Sequence, residues 1–405
     1  MQPTKVKKGQ VGEIALADWA RTMERSVLRQ MIGVVSRPGI LSFAGGLPAP
    51  EYFPREAYAA ALARVLAEDE NALQYRPPFA PLRRHVVDLM GERGVACTPE
   101  QVFITTGAQQ ALDVLTRLLL NPGGQVMLEE IVYTGIQQAV APFRPEILPV
   151  PTDLETGIDV DAVEGLLAAG ARPAFLYVIP EAQNPLGVSI TPEKRRRLVA
   201  VARANRLPIV EDDPYGFLAY DGEAAPPLKA LEPDWVFYVG SFSKLVAPAL
   251  RLGWMVAPEA LVPRLTVVKE AGDLETSALT QRAVSAFLDD GHLPDHLDLL
   301  RRVYGRRRDA MLEALNRTFP AGVRWTTPAA GMFVWVELPS HLDTMELLQA
   351  AIEEEQVAFI PGRAFSLPGL SAGHCLRLCF ANADVPAIED GIERLARVVR
   401  RFVVE

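Results

Sequence analysis

The sequence predicts an α/β protein in which helices cover both faces of a mostly parallel sheet, followed by a smaller α+β domain. From about residue 100, short apolar runs alternate with longer segments of helical spacing. These runs are apolar at consecutive positions, which is typical of strands buried on both faces. After about residue 300 the alternation becomes shorter, which indicates a second domain. With 405 residues, 49% of them hydrophobic, the chain can bury two cores.

Strands and helices alternate through the first predicted domain. The predicted strands are Val102–Thr105, Gln125–Leu128, Ala174–Ile179, Leu207–Val210, Val236–Val239 and Gly253–Val256. The predicted helices are Ala108–Leu120, Gly135–Phe143 and Thr191–Asn205. The start of the last helix is marked, because Thr191 can cap its N-terminus and Pro192 suits its first position.

The chain from residue 301 onward is predicted to form the smaller domain. Its elements are the helices Arg301–Thr318, Met345–Glu355 and Pro386–Val399 and the strands Met332–Glu337, Ala358–Ile360 and Leu376–Phe380. Before the first domain lies one amphipathic helix, Asp18–Val34, which is too isolated to fold alone. We therefore predict an N-terminal segment over residues 1–44 that packs with the small domain, a large domain over 45–300 and a small domain over 301–405.

Composition excludes several classes of protein. A net charge of −9 and a pI near 5.3 disfavour a nucleic-acid partner, and we expect the basic clusters Lys194–Arg197 and Arg301–Arg308 to be solvated helix faces. No apolar run is long enough to span a membrane, and the polar N-terminus lacks a signal core. Three cysteines are too few for a disulfide framework, and no metal-ligand motif is present. The sequence thus predicts a cytoplasmic protein without a metal site.

Polar residues with catalytic potential follow four of the predicted strands. They are the turn Thr105–Gln109, the segment Asn184–Gly187, the acidic segment Glu211–Tyr215, and Ser241–Lys244 with Arg251 seven residues later. Backbone N–H groups at a strand-to-helix turn bind anions, and a lysine among apolar residues is suited to covalent catalysis. Two acidic residues at the end of an apolar strand indicate a function, because a buried carboxylate needs a partner. Each segment alone also fits a structural role, but consecutive strand ends bring the four together.

With these motifs the chain resembles the fold-type I aminotransferases of the aspartate aminotransferase superfamily. It is most similar to the branch of 2-aminoadipate, kynurenine and aromatic aminotransferases, from about residue 30 to the C-terminus. The stretches that carry the resemblance are Arg37–Ile40, Phe43–Pro48, Leu73–Tyr75, Gly107–Gln110, Gln183–Gly187 and Leu376–Leu378. The resemblance implies a seven-stranded sheet, pyridoxal 5′-phosphate as cofactor, and ping-pong transfer of an amino group to 2-oxoglutarate or a related 2-oxo acid. It also implies a homodimer with shared active sites.

The resemblance assigns roles to residues around the cofactor. Lys244 would bind the cofactor covalently and move the proton, and Asp212 would pair with the ring nitrogen. Tyr215 and Asn184 would bind the phenolate oxygen. The residues implied for the phosphate are Arg251, Ser241, Ser243 and the N–H groups of Ala108 and Gln109, with Tyr75 reaching it from the other subunit. Tyr133 would stack on the ring.

The substrate site is less completely assigned. Arg377 would bind the α-carboxylate with a bidentate pair, and Gly46 lies in the same implied site. In the 2-aminoadipate branch an arginine of the N-terminal helix binds the side-chain carboxylate of the substrate. Here Arg21 or Arg25 could serve, or both could be solvated helix positions. The preferred amino donor therefore stays open.

The chain departs from the family pattern at Pro77–Ala80, Ala182 and Ala249, which affects pocket shape and not catalytic groups. Other enzymes of this fold, such as carbon–sulfur lyases, decarboxylases or racemases, share the lysine and the aspartate, and only product analysis separates them. A non-catalytic sensor joined to a DNA-binding domain is the second alternative. It is disfavoured because only about 40 residues precede Gly45.

Overall fold

The centre of the protein is a seven-stranded sheet in the order β2–β10–β9–β8–β7–β3–β4, as described by a computed structural model of residues 15–21, 39–222 and 224–404. Every neighbouring pair is parallel except the two pairs that contain β10. The strands are β1 Leu41–Ser42, β2 Val102–Thr105, β3 Gln125–Glu129, β4 Glu146–Val150, β5 Thr152–Asp153, β6 Gly157–Ile158, β7 Leu176–Val178, β8 Ile209–Asp212, β9 Val236–Ser241, β10 Gly253–Val256, β11 Arg324–Trp325, β12 Phe333–Glu337, β13 Val357–Ala358, β14 Ile360–Pro361 and β15 Cys375–Cys379.

The sheet separates two apolar clusters, because successive side chains of a strand point to opposite faces. In β7, Tyr177 belongs to the larger cluster, whereas Leu176 and Val178 belong to the smaller one. Helices cover both faces, and the α-helices of the described chain are α1 Asp18–Arg21, α2 Arg55–Glu68, α3 Ala80–Glu92, α4 Ala108–Leu119, α5 Thr134–Val140, α6 Val160–Ala168, α7 Pro192–Asn205, α8 Leu228–Leu231, α9 Phe242–Leu245, α10 Val262–Asp273, α11 Ala278–Asp289, α12 Leu293–Thr318, α13 Thr344–Glu355 and α14 Val385–Val404. The predicted fold class is confirmed. Thr191 caps α7 as predicted, since its hydroxyl accepts from the N–H of Lys194.

A second, antiparallel sheet in the order β11–β12–β15–β14 contacts α13 through β14, and α13 packs on α14. We call the part of the chain that carries β2 to β10 the large lobe and the part that carries β11 to β15 the small lobe. The short strand β1 pairs in parallel with β13, so Leu41 and Ser42 are attached to the small lobe. Helix α12 runs across the predicted boundary between residues 300 and 301 and packs along α14.

The described N-terminal residues form the short helix α1, which contacts the 3-10 helix Ala141–Phe143. Asp18 forms an ion pair with Arg144 at 3.0 Å. The remainder of the predicted helix Asp18–Val34, including Arg25, lies outside the described residues. Within the described part of the chain, no helix has the length and apolar character needed to cross a bilayer.

The prediction that the two basic clusters are solvated is wrong for three arginines. Arg195, Arg307 and Arg308 are buried. Arg307 and Arg308 donate to the carbonyl oxygens of Ala381 and Pro328, respectively. These partners are distant in sequence, so local charge pattern could not reveal them.

Candidate active site

Three of the predicted strand ends meet at one edge of the large sheet. Parallel pairing of β7, β8 and β9 places their carboxyl ends side by side. Asn184 follows β7, Asp212 is the last residue of β8, and Lys244 follows β9. The sheet thus brings an amide, a carboxylate and an amine to one cleft.

Lys244 lies on the short helix α9, directly after the end of β9. Ser241 begins this helix, and its hydroxyl accepts from the N–H of Ser243 at 3.1 Å. The Nζ of Lys244 donates to the carbonyl of Gly46 over 2.9 Å. Burial lowers the pKa of Lys244 to about 8, and the cation of Arg377 acts in the same direction. Near neutral pH a much larger fraction of this amine is uncharged than in an ordinary lysine, as a nucleophile requires.

Asp212 is buried and has one carboxylate oxygen free. Its Oδ2 accepts from the hydroxyl of Tyr177 at 2.8 Å. Its Oδ1 has no hydrogen-bond partner among the described residues. Burial raises the pKa of Asp212 to about 7, while the Tyr177 hydrogen bond opposes this rise. A buried, unpaired carboxylate oxygen suits a cationic N–H donor such as a protonated ring nitrogen.

Arg377 projects from β15 of the small lobe into the same cleft. Its Nη1 donates to Oδ1 of Asn184 at 2.7 Å, and its Nη2 donates to the carbonyl of Ala44 at 2.8 Å. The guanidinium lies between the rings of Phe333 and Phe365, at 4.1 Å and 4.8 Å from their centroids. Burial lowers the pKa of Arg377 to about 10, so the group stays charged at neutral pH. A fixed, desolvated guanidinium is suited to bind a carboxylate.

Arg251 lies against the turn between β2 and α4. Gly107 precedes α4 with a φ of +81°, and a Cβ on it would lie 2.8 Å from Nη2 of Arg251. The guanidinium therefore sits against the first turn of the helix, which begins with Ala108 and Gln109. Free N–H groups at a helix N-terminus together with an arginine suit a phosphate.

Two tyrosines complete the cleft. Tyr133 precedes α5, and its hydroxyl donates to Oε1 of Gln109 at 3.4 Å. Tyr215 is buried, and its ring makes an edge contact with Phe333 at 6.0 Å between centroids. Burial raises the pKa of both phenols, so both are protonated hydrogen-bond donors at neutral pH. Gly46 also belongs here, since a Cβ on it would lie 2.9 Å from the Phe333 ring.

Two predicted site residues are not brought to this cleft within one chain. Tyr75 has 77% of its surface exposed and lines a separate cavity of about 690 Å³ with Val262 and Leu274. Arg21 is exposed and pairs with Asp18 at 3.4 Å. Sequence reasoning also missed residues that shape the site, namely Tyr177, Phe333 and Phe365. Tyr177 and Phe333 lie in apolar runs, where an aromatic residue is first interpreted as core, and Phe365 lies in a mixed segment after a predicted strand. The one available signal was the hydroxyl of Tyr177 in an otherwise aliphatic strand.

The side chains of this cleft match the chemical groups of pyridoxal 5′-phosphate. The free Oδ1 of Asp212 suits its ring nitrogen, and the turn at Gly107 with Arg251 suits its phosphate. Lys244, with its lowered pKa, supplies the amine for its aldehyde. These three chemistries occur together in one cleft.

Comparisons with known proteins agree with this chemistry. A family model described as "Aminotransferase class I and II" matches residues 47–395. A 2-aminoadipate transaminase from Thermus thermophilus is 43% identical over 95% of this chain and 96% of that protein. Aromatic-amino-acid aminotransferase 1 of Thermococcus litoralis is 37% identical over 93% of this chain and 92% of that protein.

A solved structure has the same fold. The alpha-aminoadipate aminotransferase from Thermus thermophilus, complexed with N-(5′-phosphopyridoxyl)-L-leucine, matches with a TM-score of 0.89 and 40% identity. The match covers 96% of this chain and 98% of that one. The predictions of a pyridoxal-phosphate cofactor and of amino-acid transamination are therefore confirmed, and the chain belongs to the aminotransferase class I and II family.

Proposed function

We propose that this aminotransferase moves the amino group of 2-aminoadipate, glutamate, aromatic or large aliphatic L-amino acids to 2-oxoglutarate or a related 2-oxo acid by a ping-pong mechanism. The observation that carries the proposal is the position of Arg377, a buried guanidinium that shares one cleft with Lys244. Every amino acid and 2-oxo acid has the carboxylate that such a group binds. The range of donors is supported by the names of the relatives, which are a 2-aminoadipate and an aromatic-amino-acid aminotransferase.

Lys244 and Asp212 would carry the proton chemistry. When bound, pyridoxal 5′-phosphate supplies an electron sink for the electrons left at the substrate Cα. The amine of Lys244, with a pKa of about 8, would accept the proton from the substrate Cα and deliver it to C4′ of the cofactor. The free Oδ1 of Asp212 would hold a proton on the ring nitrogen.

The other cleft residues would orient the cofactor. Tyr215 and Asn184 would donate to its phenolate oxygen, and Tyr133 would lie against its ring. The phosphate would be bound by Arg251, Ser241, Ser243 and the N–H groups of Ala108 and Gln109. This set is supported by the anion site at the start of α4.

A homodimer with shared sites would explain the exposed residues near Tyr75. Leu73 and Tyr75 each have 77% of their surface exposed, and Val267 and Leu274 have 65% and 62%. Large apolar side chains exposed in one region mark a protein interface. We infer that a second copy covers them and that Tyr75 reaches the phosphate site of that copy.

We propose that the N-terminal helix recognises the side-chain carboxylate of acidic substrates. Helix α1 contacts the 3-10 helix Ala141–Phe143, which continues the helix that starts after Tyr133. Arg21 is exposed, and its contacts are the exposed ion pair with Asp18 and a hydrogen bond from its Nε to the carbonyl of Leu16 at 3.0 Å. Exposed pairs of this kind stabilise little, so the side chain could turn to a distal carboxylate. Arg25, one turn further on, is the alternative.

We place the enzyme in the cytoplasm. Cys97, Cys375 and Cys379 are all free thiols, which fits a reducing compartment.

The deciding experiment is a panel of half-reactions. The absorbance of the bound cofactor is followed while single amino acids are added, and then while 2-oxoglutarate is added. We expect 2-aminoadipate, glutamate, phenylalanine and leucine to convert the cofactor to its amine form, and 2-oxoglutarate to restore it. Release of ammonia, sulfide or carbon dioxide without any need for a 2-oxo acid would instead indicate a lyase or a decarboxylase.

A further inference from the structure

We propose that Tyr177 is a positioning residue that occupies one oxygen of Asp212 and so leaves the other oxygen aimed at the ring nitrogen of the cofactor. The proposal rests on the function proposed above and adds a residue to it. Tyr177 does not reach the reacting atoms; it acts through Asp212.

The sheet register places the two residues together. In the parallel ladder, Tyr177 of β7 is the Cα partner of Val210 of β8. Asp212 lies two residues beyond Val210 and therefore on the same face of the sheet. The phenol is completely buried and donates to Oδ2 of Asp212 at 2.8 Å.

This hydrogen bond has two consequences for the carboxylate. It stabilises the ionised form, and it opposes the burial that raises the pKa of Asp212 to about 7. It also fixes the plane of the carboxyl group, because one oxygen is held while Oδ1 stays unpaired. Without the phenol, Asp212 would be protonated more readily and would be free to rotate.

The neighbouring strand contains a matched control. Tyr238 of β9 is also completely buried, and its hydroxyl donates to Oδ2 of Asp213 at 3.1 Å. Asp213 has two other donors. Arg93 contacts its Oδ2 at 3.2 Å, and the N–H of Gly216 donates to its Oδ1 at 2.7 Å. Loss of the Tyr238 hydroxyl should therefore leave Asp213 in place. The two tyrosines differ mainly in which aspartate they serve.

The test compares Tyr177→Phe with Tyr238→Phe, each loaded with pyridoxal 5′-phosphate that carries ¹⁵N in its ring. For Tyr177→Phe we expect the ¹⁵N resonance to move toward the unprotonated position. We also expect cofactor affinity and kcat each to fall by about tenfold to a hundredfold, the effect of a hydrogen bond to a charged group. The KM for glutamate should change much less, because Arg377 is untouched. Tyr238→Phe should keep the wild-type resonance, cofactor affinity and kcat.

A second variant tests the opposite direction. Tyr177→3-fluorotyrosine keeps the ring and strengthens the donor, so the ¹⁵N resonance should move further toward the protonated position. This variant also decides the question if Tyr177→Phe does not fold. An unchanged resonance in the variants at position 177, or an equal change in Tyr238→Phe, would overturn the proposal. If the wild-type protein itself failed to bind the cofactor or to convert it with amino acids, the proposed function would fail instead.

Discussion

The Nη1 of Arg377 donates to Oδ1 of Asn184 over 2.7 Å, and this bond joins the small lobe to the loop that follows β7. The carbonyl of Phe365, whose ring covers the guanidinium, accepts from the N–H of Val132 in the large lobe at 3.0 Å. Both lobes therefore hold the guanidinium that is proposed to bind the substrate carboxylate. Its orientation depends on how the lobes are docked.

Arg377→Lys should weaken substrate binding in general. A lysine cannot contact Asn184 and Ala44 in one plane, and it does not stack between two rings as a guanidinium does. We expect KM to rise by about tenfold to a hundredfold for acidic and apolar donors alike, with little change in cofactor affinity. Steady-state kinetics with glutamate and leucine measure this. Arg363→Lys is the control. Arg363 forms an exposed ion pair with Asp343 in the same lobe, so this substitution should leave KM unchanged.

Uptake of pyridoxal 5′-phosphate by the apoprotein should depend on the ionisation of Lys244. Only the neutral amine attacks the aldehyde, and the pKa of Lys244 is lowered to about 8 by burial. The uptake rate should therefore rise as pH increases from about 6, reach half its limit near the pKa and level off above about 9. Rates are followed by visible absorbance, with N-acetyl-lysinamide as a reference whose amine has the ordinary pKa. Lys244→Ala should form no bond to the cofactor that borohydride can reduce. If the pH midpoint of the uptake rate equalled that of N-acetyl-lysinamide, the assignment of Lys244 would be contradicted.

Asp212→Asn should stabilise the apoprotein at alkaline pH. The folded-state pKa of Asp212 is raised, so the native protein binds more protons than the unfolded chain and loses stability as pH rises from about 4 to about 7. The full penalty, at most roughly 4 kcal/mol for a shift of this size, is present above about pH 7. Urea unfolding should give the variant a larger advantage at pH 8 than at pH 5. Equal advantages at both pH values would mean that the carboxylate is not strained by burial.

Arg195→Lys should destabilise the large lobe. The buried guanidinium donates to the carbonyl oxygens of Ile190 and Pro180 at 2.8 and 2.9 Å, and it pairs with Glu181 at 2.8 Å. A lysine would leave several of these buried acceptors unpaired, at a cost of about 3–5 kcal/mol. The adjacent Arg196→Lys is the matched control, since Arg196 is exposed and should change stability by less than about 0.5 kcal/mol. Urea unfolding of both variants measures the difference, and equal stabilities would refute a structural role for Arg195.

Mixed dimers should show which subunit supplies Tyr75. If Tyr75 serves the neighbouring site, Lys244→Ala refolded together with Tyr75→Ala should recover roughly a quarter of wild-type activity, one working site in each mixed dimer. Lys244→Ala with Arg251→Ala is the control, because the chain that supplies Lys244 also supplies Arg251 to the same cleft. That pair should stay inactive. A protein that sediments as a fully active monomer would contradict the shared site.

The sequence predicted strand positions well where apolar runs were bounded by breakers. Val102–Thr105 and Gly253–Val256 were predicted to the residue. The strand predicted at Leu207–Val210 lies at Ile209–Asp212 instead, because carboxylates at its end can be buried when they have partners. Glu211 shows this, since its carboxylate accepts from the N–H groups of Leu228 and Lys229 at 2.7 and 2.8 Å. Of the three acidic residues in this segment, Glu211 therefore has a structural role, which the sequence interpretation did not foresee: its carboxylate caps α8.

Contacts between distant segments limited the prediction of the site. The strand-end motifs at Asn184, Asp212 and Lys244 were visible because each follows an apolar run. The bond from Tyr177 to Asp212 was not, because it depends on the register between two strands. The same holds for the rings that enclose Arg377, which come from β12 and from the segment after β14.

Helix α12 has 26 residues, and at 1.5 Å per residue it is roughly 39 Å long. Near its middle, Arg301 donates to the carbonyl of Phe217 in the large lobe at 3.0 Å, while Arg308 donates to that of Pro328 near the small sheet at 2.9 Å. A cut after residue 300 would fall before both attachments, so Arg301, which contacts the large lobe, would stay with the small-lobe fragment. It would also leave the last carbonyl groups of the severed helix unpaired. Helix α12 therefore contacts both lobes, and any division of this enzyme into separately expressed halves has to keep α12 whole.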